Sequence, residues 1–336
     1  MGRDRHGFAG HRPPTRRVIP RPKILIDCDP GHDDAVAILY AARHLDVVGI
    51  TTCHGNNDIG NVTRNALSIL SLGGLDIPLA QGSAVPLNGK PYGAAEAHGR
   101  TGLDGAVLQA PRHMPIGMHA VDFLIEQARA YRDELVLAVI GPATNIALAI
   151  QREPRVAAWL REISVMGGSA GNGNIGPTVE YNIACDPEAA AILFASGAPI
   201  RMVGYDVTSR TGTNAADIAR LRAGRHVARS IADLLTFYRA RQEEFFGLDI
   251  APMHDVCAII PYVNNTLITY RHCHVGVELA GTLTRGMTVC DLRTLTPAGQ
   301  ALRGAGPANA HVAIAADAPR LIGAVVETLL SYPDPP

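Results

Sequence analysis

Four aspartates, Asp27, Asp29, Asp33 and Asp34, fall within eight residues of the chain, between an apolar run that leads into Asp27 and the helical apolar pattern Ala35-Val-Ala-Ile-Leu-Tyr-Ala-Ala42. A strand followed by a helix puts these carboxylates at the carboxyl end of the strand, where open α/β sheets hold their ligands. Like charges packed into one turn raise each other's pKa unless something positive neutralises them. No Lys or Arg occurs between Lys23 and Arg43. A hard divalent cation with oxygen ligands meets that need. Part of the pattern has a local explanation: Pro30-Gly31 is a turn, and Asp33 or Asp34 is an N-cap beside the positive end of a helix dipole. That covers one or two of the four acids and leaves the others unexplained.

The rest of the chain alternates strand and helix patterns. Strands are predicted at residues 24–27, 47–52, 135–140, 162–166 and 199–203, and helices at 33–44, 62–72, 119–131, 144–151 and 187–196. That rhythm predicts an α/β fold, an open and mostly parallel doubly wound sheet flanked by helices with right-handed crossovers. Further helices are predicted at 215–222, 227–246, 255–263 and 319–330, with less regular strands at 275–279 and 287–292. No Pro/Gly/Ser-rich linker or internal repeat divides residues 23–333, so one domain, residues 23–336, is expected.

Composition removes several classes of function. A net charge of −1 and a pI near 6.9 give no bulk attraction for nucleic acid or membrane surfaces. No apolar stretch approaches the ~18 residues of a membrane span. Residues 1–22, rich in Arg, Pro and His, lack the apolar core of a secretory signal and are read as a disordered basic extension. Their prolines argue against an amphipathic mitochondrial presequence. The six cysteines are scattered without a Cys-x-x-Cys pair, which fits buried free thiols in a reducing cytoplasm. The run His272-Cys273-His274 alternates faces on a predicted strand, so Cys273 points away from both histidines and a zinc site is not expected.

Polar residues recur where the predicted strands end: Thr51-Thr-Cys-His-Gly-Asn56-Asn57, Gly141-Pro-Ala-Thr144-Asn145, Met166-Gly-Gly168 followed by Asn172, Asn174, Glu180 and Asn182, and Asp206. Each alone is an ordinary turn residue. In a parallel sheet they converge on the edge that carries the aspartates, and such a set of amides and carboxylates suits a polyhydroxylated ligand such as a sugar.

These residues also carry a resemblance. Asp27-Cys-Asp-Pro-Gly-His-Asp-Asp-Ala35 resembles the Asp-x-Asp-Pro-Gly-x-Asp-Asp signature of the nucleoside hydrolases, and the likeness continues in order through Gly55-Asn56, Gly141-Pro-Ala-Thr-Asn-Ile-Ala147, Met166-Gly-Gly168, the run from Glu180 to Ala190, and His254-Asp255. It spans residues 23 to about 293. The resemblance implies a Ca²⁺-dependent enzyme that hydrolyses the N-glycosidic bond of ribonucleosides, a homodimer or homotetramer. It implies that Asp29, Asp34, Asp255 and the backbone carbonyl of Thr144 hold the metal, with Asp29 also the general base. Asp33, Asn56 and Asn182 would grip the 2′- and 3′-hydroxyls, Asn174 and Glu180 the 5′-hydroxyl, and Met166 would pack under the sugar. Asp27 would support the metal shell.

The leaving base needs an acid or a stabilised anion. His254 and His98 are the candidates, and His98 sits in a His-Gly-x-x-Gly-Leu-Asp-Gly context similar to pyrimidine-preferring members of the family. Gln242 matches a base-pocket Gln of those members, but Phe246 stands where they carry a Tyr, which puts the proton route in question. His32 is read as structural. Two other classes compete. A haloacid-dehalogenase-type phosphatase also places Asp-x-Asp after its first strand, but expects Gly-Thr or Gly-Val next, where this chain has Pro-Gly and a second Asp pair. A non-catalytic nucleoside-binding protein could keep the ribose grip without turnover.

Overall fold

The computed structural model describes residues 21–304 and 306–334. The expected N-terminal extension, residues 1–22, lies outside the described residues apart from its last two. A single domain is built on an eight-stranded sheet, with β1 (Lys23–Cys28), β2 (Asp46–Thr52), β3 (Leu79–Gln81), β4 (Val136–Val139), β5 (Glu162–Met166), β6 (Ile200–Val203), β7 (Ile268–Cys273) and β8 (Ala310–Ala316). The spatial order is β3-β2-β1-β4-β5-β6-β8-β7. Every pairing is parallel except that of edge strand β7 with β8. The doubly wound, mostly parallel α/β fold is as the sequence predicts.

Alternation along the strands divides the core in two. Ile24, Ile26 and Cys28 of β1 face one hydrophobic cluster, which includes helices His32–His44, His226–Phe246 and Ala318–Leu330. Leu25 faces the other, formed with helices Ala120–Ala130, Thr144–Arg152 and Pro187–Phe194. Period-two side chains buried on both faces are what a parallel sheet between helix layers requires. Helix His32–His44 is unusual in that every residue from His32 to Ala41 is buried. It is a central element, so the aspartates in its first turn are buried with it.

Two strands escape the sequence pattern. β3 has three residues, too few for a period. β8, Ala-His-Val-Ala-Ile-Ala-Ala, is alanine-rich and weak in strand propensity. The strands expected at 275–279 and 287–292 form as Val275–Val277 and Thr288–Cys290, an antiparallel hairpin outside the main sheet. The helix expected at 255–263 becomes a short helix, Val256–Ile259, and a 3₁₀ turn, Ile260–Tyr262, because Pro261 has no N–H to continue it. Cys273 is buried and His272 exposed, the alternation expected of that segment. Among the described residues no helix is long and apolar enough to cross a membrane.

The order β3-β2-β1-β4 reverses the direction of winding between β1 and β4, creating a crevice beyond their carboxyl ends. Asn145 closes its floor. Its Nδ2 donates to Asp27 Oδ1 (2.8 Å) and the Thr52 carbonyl (3.0 Å), and its Oδ1 accepts the Ser83 N–H (3.0 Å), all buried. Replacing Asn145 by Ala takes one of two donors from the Asp27 carboxylate, a donor from the Thr52 carbonyl and the acceptor from the Ser83 N–H, all out of reach of water. The expected cost is about 3 kcal/mol or more at ~1–3 kcal/mol per stranded group, to be read from denaturant unfolding. Asn145→Asp, which sets a second carboxylate against Asp27, is expected to cost at least as much.

Candidate active site

The sharp turn after β1 separates the aspartates by giving Asp27, Asp29 and Asp34 different hydrogen-bond partners. Asp27, still in the strand, accepts from Thr51 Oγ1 (2.6 Å) as well as Asn145, and so ties β1 to β2 and to helix Thr144–Arg152. Asp29 Oδ2 accepts the Asn56 N–H (2.7 Å), and Asn56 Nδ2 donates back to the Asp29 carbonyl (3.1 Å). Two glycines make room for that carboxylate: a Cβ on Gly55, whose φ is 154°, or on Gly141 would overlap it. Asp34 Oδ2 accepts the Gly31 N–H at the helix start (2.8 Å). Asp29 Oδ1 and Asp34 Oδ1 remain buried with no protein partner.

Asp255, just before helix Val256–Ile259, joins them from the other side. Ligand atoms of Asp33, Asp34 and Asp255 lie within 4.8 Å of one another, all buried. The tightest trio therefore contains Asp33, which the resemblance assigns to the sugar, while Asp29 stands beside it. The electrostatics are one-sided. Burial lifts Asp33 to about 8, with the charge of Asp34 a second cause, and lifts Asp34 to about 6. Asp29 and Asp255 are pushed well up, by burial first and then by Asp34 and Asp33 respectively. Among the described residues no Lys or Arg lines the cavity. Carboxylates this close, with partnerless buried oxygens and no protein cation, fit a hard divalent ion.

Thr144 needs correction. It is the first residue of its helix, so its carbonyl points down the helix, away from the aspartates. Its hydroxyl donates to Asp186 Oδ2 (2.7 Å) and meets His54 Nε2 (2.9 Å), and the residue does not line the cavity. The residue of that loop that does line it is Ile140, immediately after β4, whose carbonyl accepts from Asn182 Nδ2 (3.1 Å).

The cavity beyond the aspartates, about 690 Å³ counting its open mouth, is lined by Asp33, Asn56, Met166, Asn174, Glu180, Asn182, Gln242, Phe246, His98, His254 and Asp255 among others. One wall comes from the loop after β5. Glu180 caps helix Tyr181–Cys185 and accepts the N–H groups of Gly168 (2.8 Å), Asn182 (2.9 Å) and Ile183 (3.2 Å). Burial nevertheless raises it to about 7. Asn174 Oδ1 accepts the Tyr181 N–H (2.9 Å). Asn182 Nδ2 also donates to the Met166 carbonyl (3.1 Å), which leaves its Oδ1 as the acceptor for a ligand.

The opposite wall comes from helix His226–Phe246 and the turn Ala95–His98. Tyr238, Gln242 and Phe246 follow at i, i+4 and i+8 along one helical face and line the cavity together. Tyr205 and Tyr238 were not singled out by sequence, although the spacing of Tyr238 from Gln242 was there to be read. Both line the cavity. Arg241 Nε donates to the Glu96 carbonyl (2.7 Å) and fastens the turn to the helix end. His254 stacks on Tyr205 (5.7 Å) and its Nδ1 meets Thr208 Oγ1 at 2.7 Å. Burial lowers His254 to about 4 and His98 well below the usual imidazole range, the latter also through the neighbouring charges of His32 and His254.

Comparison with known proteins bears directly on this arrangement. Residues 24–323 match the model of the inosine-uridine preferring nucleoside hydrolase family. The chain belongs to that family. As a nucleoside hydrolase it cleaves the N-glycosidic bond of nucleosides. It is 40% identical over 314 residues to the pyrimidine-specific ribonucleoside hydrolase RihA of Shewanella sp. (strain ANA-3), covering 92% of this chain and 96% of that one. It superposes on a plant nucleoside hydrolase, PpNRh1, with a TM-score of 0.85 at 31% identity, covering 93% of this chain and 100% of that one. A purine-preferring ribonucleoside hydrolase from Gardnerella vaginalis gives a TM-score of 0.85 at 30% identity, covering 92% and 98%.

The raised carboxyl pKa values set a pH dependence for the cation-free hydrolase. Asp27 and Asp34 near 6 and Asp33 near 8 lie above their unfolded value near 4, so the folded state binds more protons and loses stability as pH rises through that window. Chelator-treated protein should therefore melt at progressively lower temperature from about pH 5 to pH 8. Added Ca²⁺ should raise the melting temperature by an amount that grows over the same range, because protons compete for the same oxygens. Differential scanning calorimetry at matched ionic strength reads both.

Proposed function

We propose that the hydrolase is a Ca²⁺-dependent ribonucleoside hydrolase that prefers pyrimidine nucleosides, uridine and cytidine, and releases ribose and the free base. The observation that carries the reading is the juxtaposition of a buried carboxylate cluster lacking any protein cation with a cavity lined by amides on one wall and by aromatics and histidines on the other. The pyrimidine preference draws support from the likeness to RihA and from the His98 loop.

Asp29, Asp34, Asp255 and the Ile140 carbonyl, with Asp33 alongside, are the groups that would hold the ion. Bound there, a hard cation would offset the carboxylate repulsion, take ribose hydroxyls as ligands and acidify the attacking water. Asp29 is the base in this reading: Asn56 holds one of its oxygens, and Oδ1 is free to take the water's proton. Asp33, Asn56 and Asn182 hold the 2′- and 3′-hydroxyls, Glu180 and Asn174 the 5′-hydroxyl, and Met166 supports the sugar. A grip distributed around the ring favours the flattened oxocarbenium-like sugar of the transition state. Gln242 and Phe246 flank the base, and His254 or His98 supplies its proton.

The six cysteines are free and five are buried, in keeping with residence in the cytoplasm. The reading includes a homodimer or homotetramer, which sedimentation reports, and no nucleic-acid or membrane partner.

Ribose release from uridine, cytidine, inosine and adenosine, measured side by side, tests the substrate class. Uridine is expected to give the highest kcat/KM; a higher value for inosine overturns the pyrimidine preference, and no release from any of the four overturns turnover itself. Asp29→Asn keeps the shape and loses the proton acceptor, so kcat should fall about 10²–10⁴-fold with a smaller change in KM. Calcium content measured on the same sample separates a lost base from a lost ligand. Asp34→Ala removes a metal ligand outright, and a loss of bound calcium together with activity is expected.

A further inference from the structure

His32 lies inside the aspartate motif, yet none of the steps above uses it. It is fully buried, with its ring stacked on His98 (5.2 Å), Tyr238 (5.2 Å) and Phe237 (5.5 Å). Both of its ring nitrogens are engaged. Nε2 lies 2.8 Å from the backbone carbonyl of Asp104, and a carbonyl only accepts, so this nitrogen carries the proton. Nδ1 lies 3.0 Å from Nδ1 of His98, and one proton must sit between the two.

Neither ring nitrogen of His32 is hydrogen-bonded to a carboxylate that would hold an imidazolium in place. A neutral His32 with its proton on Nε2 has a bare Nδ1, so the shared proton belongs to His98. The His32 backbone N–H also approaches this His98 nitrogen, at 3.4 Å; the ring pair at 3.0 Å is the shorter contact, and a proton on His98 Nδ1 leaves that N–H without this acceptor. His98 lines the cavity, and with Nδ1 taken, the nitrogen it can offer a ligand is an unprotonated Nε2.

We propose that His32 is a positioning residue that fixes His98 as the Nδ1–H tautomer, so that His98 meets the leaving base as a hydrogen-bond acceptor for a base N–H, with uracil N3–H the foremost case, and not as its acid. The proposal rests on the pyrimidine-nucleoside reading and makes it more specific. Uracil presents N3–H and cytosine its exocyclic amino group, whereas a base without an N–H on that edge leaves Nε2 unpaired. Proton delivery then falls to His254, whose Nδ1 is engaged by Thr208 and whose ring borders the same cavity.

The tautomer is read in the free, calcium-loaded enzyme by imidazole ¹⁵N NMR of histidine-labelled protein, with His98 assigned by its loss in His98→Gln. A protonated Nδ1 and bare Nε2 on His98 are expected in the wild type, and loss of that single tautomer in His32→Leu. A protonated Nε2 on His98 in the wild type overturns the proposal. In kinetics, His32→Leu should lower kcat/KM for uridine by about tenfold or more relative to a nitrophenyl riboside, whose leaving group offers no N–H. His32→Asn, with an amide oxygen that can accept near the position of Nδ1, should recover most of that loss. His32→Leu combined with His98→Ala should be no worse on uridine than His98→Ala alone. Equal losses on both substrates, or additive losses in the double variant, would mean that His32 only packs. A wild type that hydrolyses inosine and leaves uridine untouched would overturn the pyrimidine reading instead, and the NMR result would still decide the tautomer.

Discussion

Carboxylates buried around the start of a helix that is itself buried from His32 to Ala41 are the constraint around which this molecule is organised. Burial makes their charge costly, and their proximity makes each costlier for the others. The fold meets part of that cost with hydrogen bonds: the Asn56 N–H holds Asp29, the Gly31 N–H holds Asp34, and the side chains of Thr51 and Asn145 hold Asp27. What these leave over, three partnerless oxygens on Asp27, Asp29 and Asp34 and a close trio, is chemistry that suits a cation. The same arrangement explains the local sequence. Glycine is needed at positions 55 and 141 because the Asp29 carboxylate occupies the space a side chain would take.

Much of this was legible in the chain because charge density and periodicity are local signals. The run from Asp27 to Asp34 announced a strand end, a turn and a helix start, and five parallel strands followed from apolar runs bounded by turn residues. What stayed hidden depends on long-range placement. β8 is alanine-rich and earns its place only by pairing between β6 and β7. Tyr205 and Tyr238 carry no motif, and become cavity residues only when the strand-six loop and the long helix meet. Thr144 shows the opposite error: matching its motif put the right loop at the site but the wrong carbonyl, because a carbonyl inside the helix expected from residue 144 points along the helix axis and not into the crevice.

The two walls of the cavity differ in how they are held. The amide-lined wall is pinned by backbone hydrogen bonds around Glu180 and Asn182, close to strands at the centre of the sheet. The aromatic wall is made of side chains on a helix end and a four-residue turn, where Phe246 is 43% exposed. A family that keeps one sugar and varies its base would be expected to place rigidity and variability this way. A relative named pyrimidine-specific and a solved structure named purine-preferring are both similar to this chain.

The bond from Arg241 to the Glu96 carbonyl has a mechanical implication. It makes the His98 turn and the end of the long helix a single leaf hung on the edge of the cavity. The turn carries His98 and the helix end carries Phe246, so a displacement of the helix end is passed to the histidine through that bond.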